Sequence, residues 1–247
     1  MNTNQSCAGL TPEATIAEIT NSNKQAAELL ASIGLSLTKH EEETLRSVCE
    51  KQQWCEVEVL EWMKNHRAMR NRQQLPVPGE EESLKKWKSY MENSFISPCT
   101  AVMEELGEDF PQVYQKHIDE YPWLKEVKEA FLSFSETIKL YHTFQEKKFM
   151  PLAIRLDEGR KANISHGIVR QLQRSFSILA KDRDRLQHLM NSLRRQGQQF
   201  QNPDDASTLL KMQNKNFKIL FGNIEKQFSF EKDQLIPRIK SEIKAKQ

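Results

Sequence analysis

Cysteine is scarce in this chain of 247 residues: Cys7, Cys49, Cys55 and Cys99 form neither a C-x-x-C zinc pair nor the dense set of a disulfide-stapled fold. Reduced thiols are the expectation. Charge of one sign is not in excess either. Thirty-six Lys and Arg oppose 34 Asp and Glu, a formal charge of +2, so the totals imply no nucleic-acid partner. No uninterrupted apolar run reaches the roughly 18 residues that a membrane span needs. The first ten residues lack a charged start followed by an apolar stretch, so no signal peptide is expected and Cys7 is not expected to be a lipoprotein acceptor. A cytoplasmic location is expected. Glycine (8) and proline (9) are also sparse, and no alternating strand leads into a hairpin turn. No Ser/His/Asp order, phosphate-cradling glycine loop or H-E-x-x-H helix is present, which leaves hydrolase and nucleotide-binding functions without support.

What remains is long stretches of Leu, Ile, Phe, Lys, Glu and Gln, and the chain reads as all-α. Residues 1–10 are expected to be disordered. Residues 11–69 break into short helices, with Pro12 just inside one start, Asn21 or Ser22 as a cap and Gly34 as a terminator. Thr38 and Glu41 have capping-box spacing ahead of a helix through Leu45 and Val48, and a fourth short helix covers Val57 to Met63. Two prolines and a glycine mark residues 70–83 as a linker.

Residues 84–242 then hold four segments of bundle length, with a tail at 243–247. Each carries apolar residues at spacings of three and four: Leu84, Trp87, Met91 and Phe95; Val127, Phe131, Phe134, Ile138 and Tyr141; Leu172, Phe176, Leu179, Leu186, Met190 and Leu193; Phe217, Leu220, Ile224 and Leu235. A segment with one apolar stripe buries it against the other three, which predicts an antiparallel four-helix bundle.

One helix ending occurs twice, as Gln145-Glu-Lys-Lys-Phe-Met-Pro151 and as Glu231-Lys-Asp-Gln-Leu-Ile-Pro237. Extending the seams into these endings changes their character. Ile138 leads to Tyr141 and Gln145, Leu179 to Asp182, and Ile224 to Gln227 and Glu231. These polar side chains are expected inside the bundle. Burying an unpaired carboxylate costs several kcal/mol, so Asp182 and Glu231 need hydrogen-bond donors, a cation or a proton. Such a cluster either holds a metal or fixes helix register.

The chain resembles the iron-sulfur cluster repair di-iron proteins, which join a small helical domain to a hemerythrin-like four-helix bundle. Thr15-Ile-Ala-Glu-Ile19, Lys24-Gln-Ala-Ala27, Ile33-Gly34-Leu35 and Thr44-Leu45 carry the likeness in the first domain. The resemblance implies two adjacent cysteines after Leu37, where this chain has Thr38 to Glu41. It also implies a histidine on each bundle helix, with a glutamate four residues later on the second and fourth. Matched without gaps, those positions fall on Ile96, on Tyr141 and Gln145, on Asp182, and on Gln227 and Glu231. Glu231 alone keeps the family's ligand type.

The expectation is therefore a relative that has lost the di-iron site and the cysteine pair. It would hold no cofactor and act as a non-catalytic scaffold, binding another protein or a second copy of itself, away from nucleic acid and membranes. The alternative keeps a non-haem di-iron centre at a displaced site built from His142, Glu146, Asp182 and Glu231, and repairs damaged clusters. His142 and Glu146 sit one residue, about 100° of rotation, from the matching positions. His117, His166 and His188 are expected on the surface.

Overall fold

The computed structural model describes residues 10–22, 24–52, 54–70, 76–159, 166–203 and 205–246. All the elements named here are helical; an isolated bridge between Thr15 and Thr44 is the nearest approach to strand pairing among the described residues. The chain divides into two units, residues 1–73 with 202–215 and residues 74–201 with 216–247.

The first unit contains α1 (Ile16–Ser22), α2 (Lys24–Ser32), α3 (Leu45–Gln52) and α4 (Glu56–Arg70). Ile16, Ile19, Leu30, Ile33, Leu45, Val48, Val59 and Trp62 form its core. Met212 joins that core, so residues 202–215 group with the first unit and not with the bundle to which the linear reading assigned them. Gly34 ends α2 as expected. Its φ of +97° admits the left-handed turn in which Leu35 N–H reaches the Leu30 carbonyl at 3.1 Å and Gly34 N–H the Ala31 carbonyl at 3.0 Å.

The capping box lies elsewhere than expected. Thr38 falls in a short 3-10 turn, Leu37–Lys39, and the reciprocal pair is Thr15 with Glu18: Thr15 N–H donates to Glu18 Oε2 at 2.9 Å, and Glu18 N–H to Thr15 Oγ1 at 3.2 Å. Thr44 caps α3 by accepting Ser47 N–H at 3.2 Å. Both threonines stand immediately before a buried isoleucine or leucine, whereas Thr38 is followed by exposed polar residues. Most of the 1–10 segment and part of the 70–83 linker lie outside the described residues; Leu10 is buried.

The second unit is a bundle of long helical rods. The first runs through α5 (Leu84–Met91) and α6 (Ser97–His117), the second through α7 (Leu124–Phe144) and α8 (Met150–Glu158), the third is α9 (His166–Gln196), and the fourth runs through the part of α10 (Thr208–Phe230) from Asn216 onward and α11 (Ile236–Lys246). The last rod continues as far as Lys246, into the residues read as a tail. Ring contacts fix the directions. Phe110, late in the first rod, meets Phe131 early in the second and Phe217 early in the fourth, while Trp87, early in the first, stacks on Phe230 at 5.7 Å. The first rod is therefore antiparallel to both. Phe200, just beyond α9, stacks on Phe217 at 4.3 Å, which joins the end of the third rod to the start of the fourth.

Three rods contain a π-helical turn, at Glu92–Ile96, Gln145–Phe149 and Glu231–Leu235. In each, a backbone N–H reaches the carbonyl five residues back: Ser97 to Glu92, Met150 to Gln145, Ile236 to Glu231. Proline follows immediately every time, as Pro98, Pro151 and Pro237. A proline ring crowds the carbonyl four residues back and offers no N–H, and the wider turn accommodates both. Proline alone does not suffice, since Pro111 sits within α6 without such a turn. The twofold motif is thus threefold, with Glu92-Asn-Ser-Phe-Ile-Ser-Pro98 as the copy the sequence reading passed over.

Candidate functional site

The two later π turns start at the residues that open the motif, Gln145 and Glu231, and both side chains point into the bundle with 0% and 1% exposure. Glu231 is surrounded by donors. Its Oε1 accepts Gln145 Nε2 at 2.6 Å and Gln227 Nε2 at 2.8 Å; its Oε2 accepts the Tyr141 hydroxyl and Arg183 Nη1, the latter at 3.2 Å. The second Gln227 amide proton goes to Gln145 Oε1 at 3.1 Å. Gln227 Oε1 faces His142 Nε2 at 3.1 Å. An amide oxygen only accepts, so Nε2 of His142 carries the proton.

The electrostatics follow from burial. Desolvation pushes the His142 pKa down to about 4, against a smaller opposing effect of its bond to Gln227, so the ring is neutral at physiological pH. Burial and then the Glu231 charge push the Tyr141 hydroxyl well above its ordinary value, and it stays protonated and donates. The Arg183 guanidinium balances the Glu231 charge across an interior ion pair, with side-chain exposures of 17% and 1%.

Four of the six family-matched positions, Tyr141, Gln145, Gln227 and Glu231, come together. Ile96 does not join them; it is an apolar core residue inside the first π turn. The first copy of the motif is turned out of phase, and Glu92 pairs with Lys88 at 2.6 Å on the outside of its rod. Asp182, expected inside, is half-buried and forms no ion pair or hydrogen bond with a described residue. Its neighbour Arg183 enters instead. Both lie at helical spacing between Leu179 and Leu186, so the seam alone did not choose between them. The inward carboxylate did: a buried negative charge selects the cation and expels the second anion. An unmatched Glu231 was thus the signal from which Arg183 was findable.

His142 was expected off the buried face, and it is 5% exposed. The interior stripe of α7 is wider than one column. Tyr141 and His142 stand three and four residues beyond Ile138, and both fit inside a stripe broader than about 100°. Of the displaced set, His142 and Glu231 share the network, but Glu146 is half-buried and, like Asp182, forms no hydrogen bond or ion pair with it. His117 also departs from expectation: it is 6% exposed, with Nδ1 3.2 Å from Glu120 Oε2, whereas His166 and His188 are exposed.

This donor set does not suit a di-iron centre. Iron at such a site takes imidazoles and carboxylates, and here two amides present N–H groups to the carboxylate while a guanidinium already supplies its positive charge. Among the described residues no group of three or more His, Cys, Asp or Glu side chains is placed to hold a metal ion. Glu231, with all its lone-pair directions taken, is also poorly placed to accept a proton from a substrate. The arrangement instead ties the second, third and fourth rods together at one height.

The two buried thiols are poorly suited to redox chemistry. Cys49 and Cys99 are free and buried, and desolvation raises their pKa values to about 11 and about 12. Among the described residues no helix is long and apolar enough to cross a membrane. Comparison with protein-family models and with curated proteins returned no match.

Proposed function

We propose that this chain is a divergent relative of the iron-sulfur cluster repair proteins, its bundle hemerythrin-like, in which a hydrogen-bonded ion pair has replaced the di-iron centre. It acts without catalysis, as a scaffold that binds another protein. The carrying observation is the closed shell around Glu231: Arg183 fills the role of the cation, and Tyr141, Gln145 and Gln227 fill the remaining lone pairs. Loss of the family's chemistry together with retention of a well-packed bundle leaves the outer faces of the rods as the working surfaces.

Elemental analysis tests the first half of the proposal. Protein purified after growth in iron-rich medium, and again after anaerobic exposure to ferrous iron, is expected to hold far less than one iron per chain and to lack oxo-bridge absorption. About two irons per chain would refute it.

A further inference from the structure

The total charge of the chain is nearly balanced, but α9 is not. Its exposed positions include Arg170, Arg174, Lys181, Arg185 and Arg195 against a single carboxylate, Asp184. These cations stand at steps of three and four: Arg170, Arg174, Ile178, Lys181, Arg185, His188, then Asn191 and Arg195. That is one continuous stripe, opposite the buried Leu172, Leu179, Leu186, Met190 and Leu193. At 1.5 Å per residue it is about 38 Å long.

The arginines of α9 divide into two kinds. Arg183 and Arg194 are half-buried and paired, with Glu231 at 3.2 Å and Glu225 at 2.7 Å. The five cations of the stripe form no ion pair with a described residue. A row of unneutralised charge beside an otherwise balanced surface attracts acidic partners and sets their orientation.

The stripe ends in a cleft of about 430 Å³ lined by His188, Asn191, Arg194, Arg195 and Gln199. Its wall is strained, because Gln198, Gln199 and Phe200 have φ of +50°, +60° and +53°. L-residues avoid that region, and such backbone concentrates where a surface must be shaped for a ligand. Phe200, 1% exposed against Phe217, holds the turn in place.

We propose that the outer face of α9 is the docking surface for an acidic helical segment of a partner protein, with one of the segment's carboxylates seated in the terminal cleft. This rests on the scaffold reading above and names the chemistry of the partner. A helix fits better than a nucleic acid for three reasons. Cations at steps of three and four match carboxylates spaced the same way on a facing helix. Ile178, 43% exposed in mid-stripe, meets an apolar side chain and not a phosphate. No Phe, Tyr or Trp lies in the stripe to stack a base. A contact of one helix face is small and charge-dominated, so it is transient and salt-sensitive.

The test uses the full chain and three labelled probes: a synthetic amphipathic helix with Glu at successive i, i+4 positions and a central Leu, its scrambled isomer, and single-stranded DNA of similar charge. Fluorescence anisotropy is expected to show the helix binding at least about fivefold tighter than the other two, and weakening about tenfold on raising salt well above the physiological range. The variant R174E/K181E/R185E is expected to lose that binding with its circular dichroism unchanged. A control with the same change in net charge, K139E/K147E/K232E, is expected to retain it. Equal binding of the scrambled peptide, tighter binding of DNA, no binding, or equal loss in the control each overturns the proposal. Iron content measured on the same samples distinguishes this failure from failure of the scaffold reading.

Discussion

Replacing Arg183 by methionine removes the cation of the interior pair while keeping a side chain of comparable length against the bundle. Breaking a buried ion pair by deleting one partner costs about 3–5 kcal/mol, because the other charge is left stranded. Two features reduce that figure. Arg183 is 17% exposed, so part of its charge is already solvated, and Glu231 keeps three neutral donors in Tyr141, Gln145 and Gln227. A loss of about 2–3 kcal/mol in urea unfolding is expected. Glu231→Gln acts on a carboxylate that is fully paired. The substitution turns a new amide N–H toward existing donors and strands Arg183, for an expected loss of about 1–2 kcal/mol. The double variant has neither charge, and Tyr141 can rotate its hydroxyl to accept the new amide. It should lie only about 1 kcal/mol below the parent, a coupling of about 2–4 kcal/mol across the cycle. Additive losses within about 0.5 kcal/mol, or an Arg183→Met cost below about 1 kcal/mol, would show that the pair does not hold the rods together.

Burial of neutral His142 makes stability pH-dependent. Its pKa of about 4 in the fold lies below the ordinary 6.5, so its contribution is complete above pH 6.5 and is lost as pH falls toward 4, the unfolded chain taking up the proton first. Between pH 7 and pH 5 this group alone should remove about 2 kcal/mol, and His142→Leu should flatten that part of the profile in chemical denaturation. Gln199→Gly should stabilise the chain by about 1 kcal/mol, read as a higher Tm, since glycine occupies φ of +60° without strain. Gly197→Ala should do the reverse, because a Cβ there would stand 2.6 Å from the Phe200 ring. Among the described cysteines, Cys55 should react with a disulfide reagent in the native protein, with Cys49 and Cys99 reacting only on unfolding.

The apolar periodicity was sufficient for the helical class and the four long segments, because burial of a stripe leaves the same three-and-four spacing in any bundle. Gly34 was legible for a similar reason: few residues tolerate the left-handed turn after α2. The assignment of residues 202–215 was not legible, since Met212 reads the same whether it completes one core or another. Chain proximity is a poor guide to which core a short apolar segment joins.

At the site, sequence spacing located Tyr141, Gln145, Gln227 and Glu231 but failed at the two places where adjacent residues both fit the seam. Between Asp182 and Arg183, and between Tyr141 and His142, a periodicity of 3.6 does not discriminate, and the decision passes to electrostatics and packing. The same holds for the repeated motif. Its prolines and openings mark three wide turns, but the two inward-facing copies bury the fifth, sixth and ninth residues (Phe149, Met150 and Ala153; Leu235, Ile236 and Ile239), while the first buries Phe95, Ile96 and Cys99. A shift of one residue rotates the opening residue by about 100°, which puts Glu92 outside with Lys88 and leaves Gln145 and Glu231 to meet in the interior. Repetition in the sequence therefore specifies a backbone device, and only its phase against the core determines whether that device carries a site.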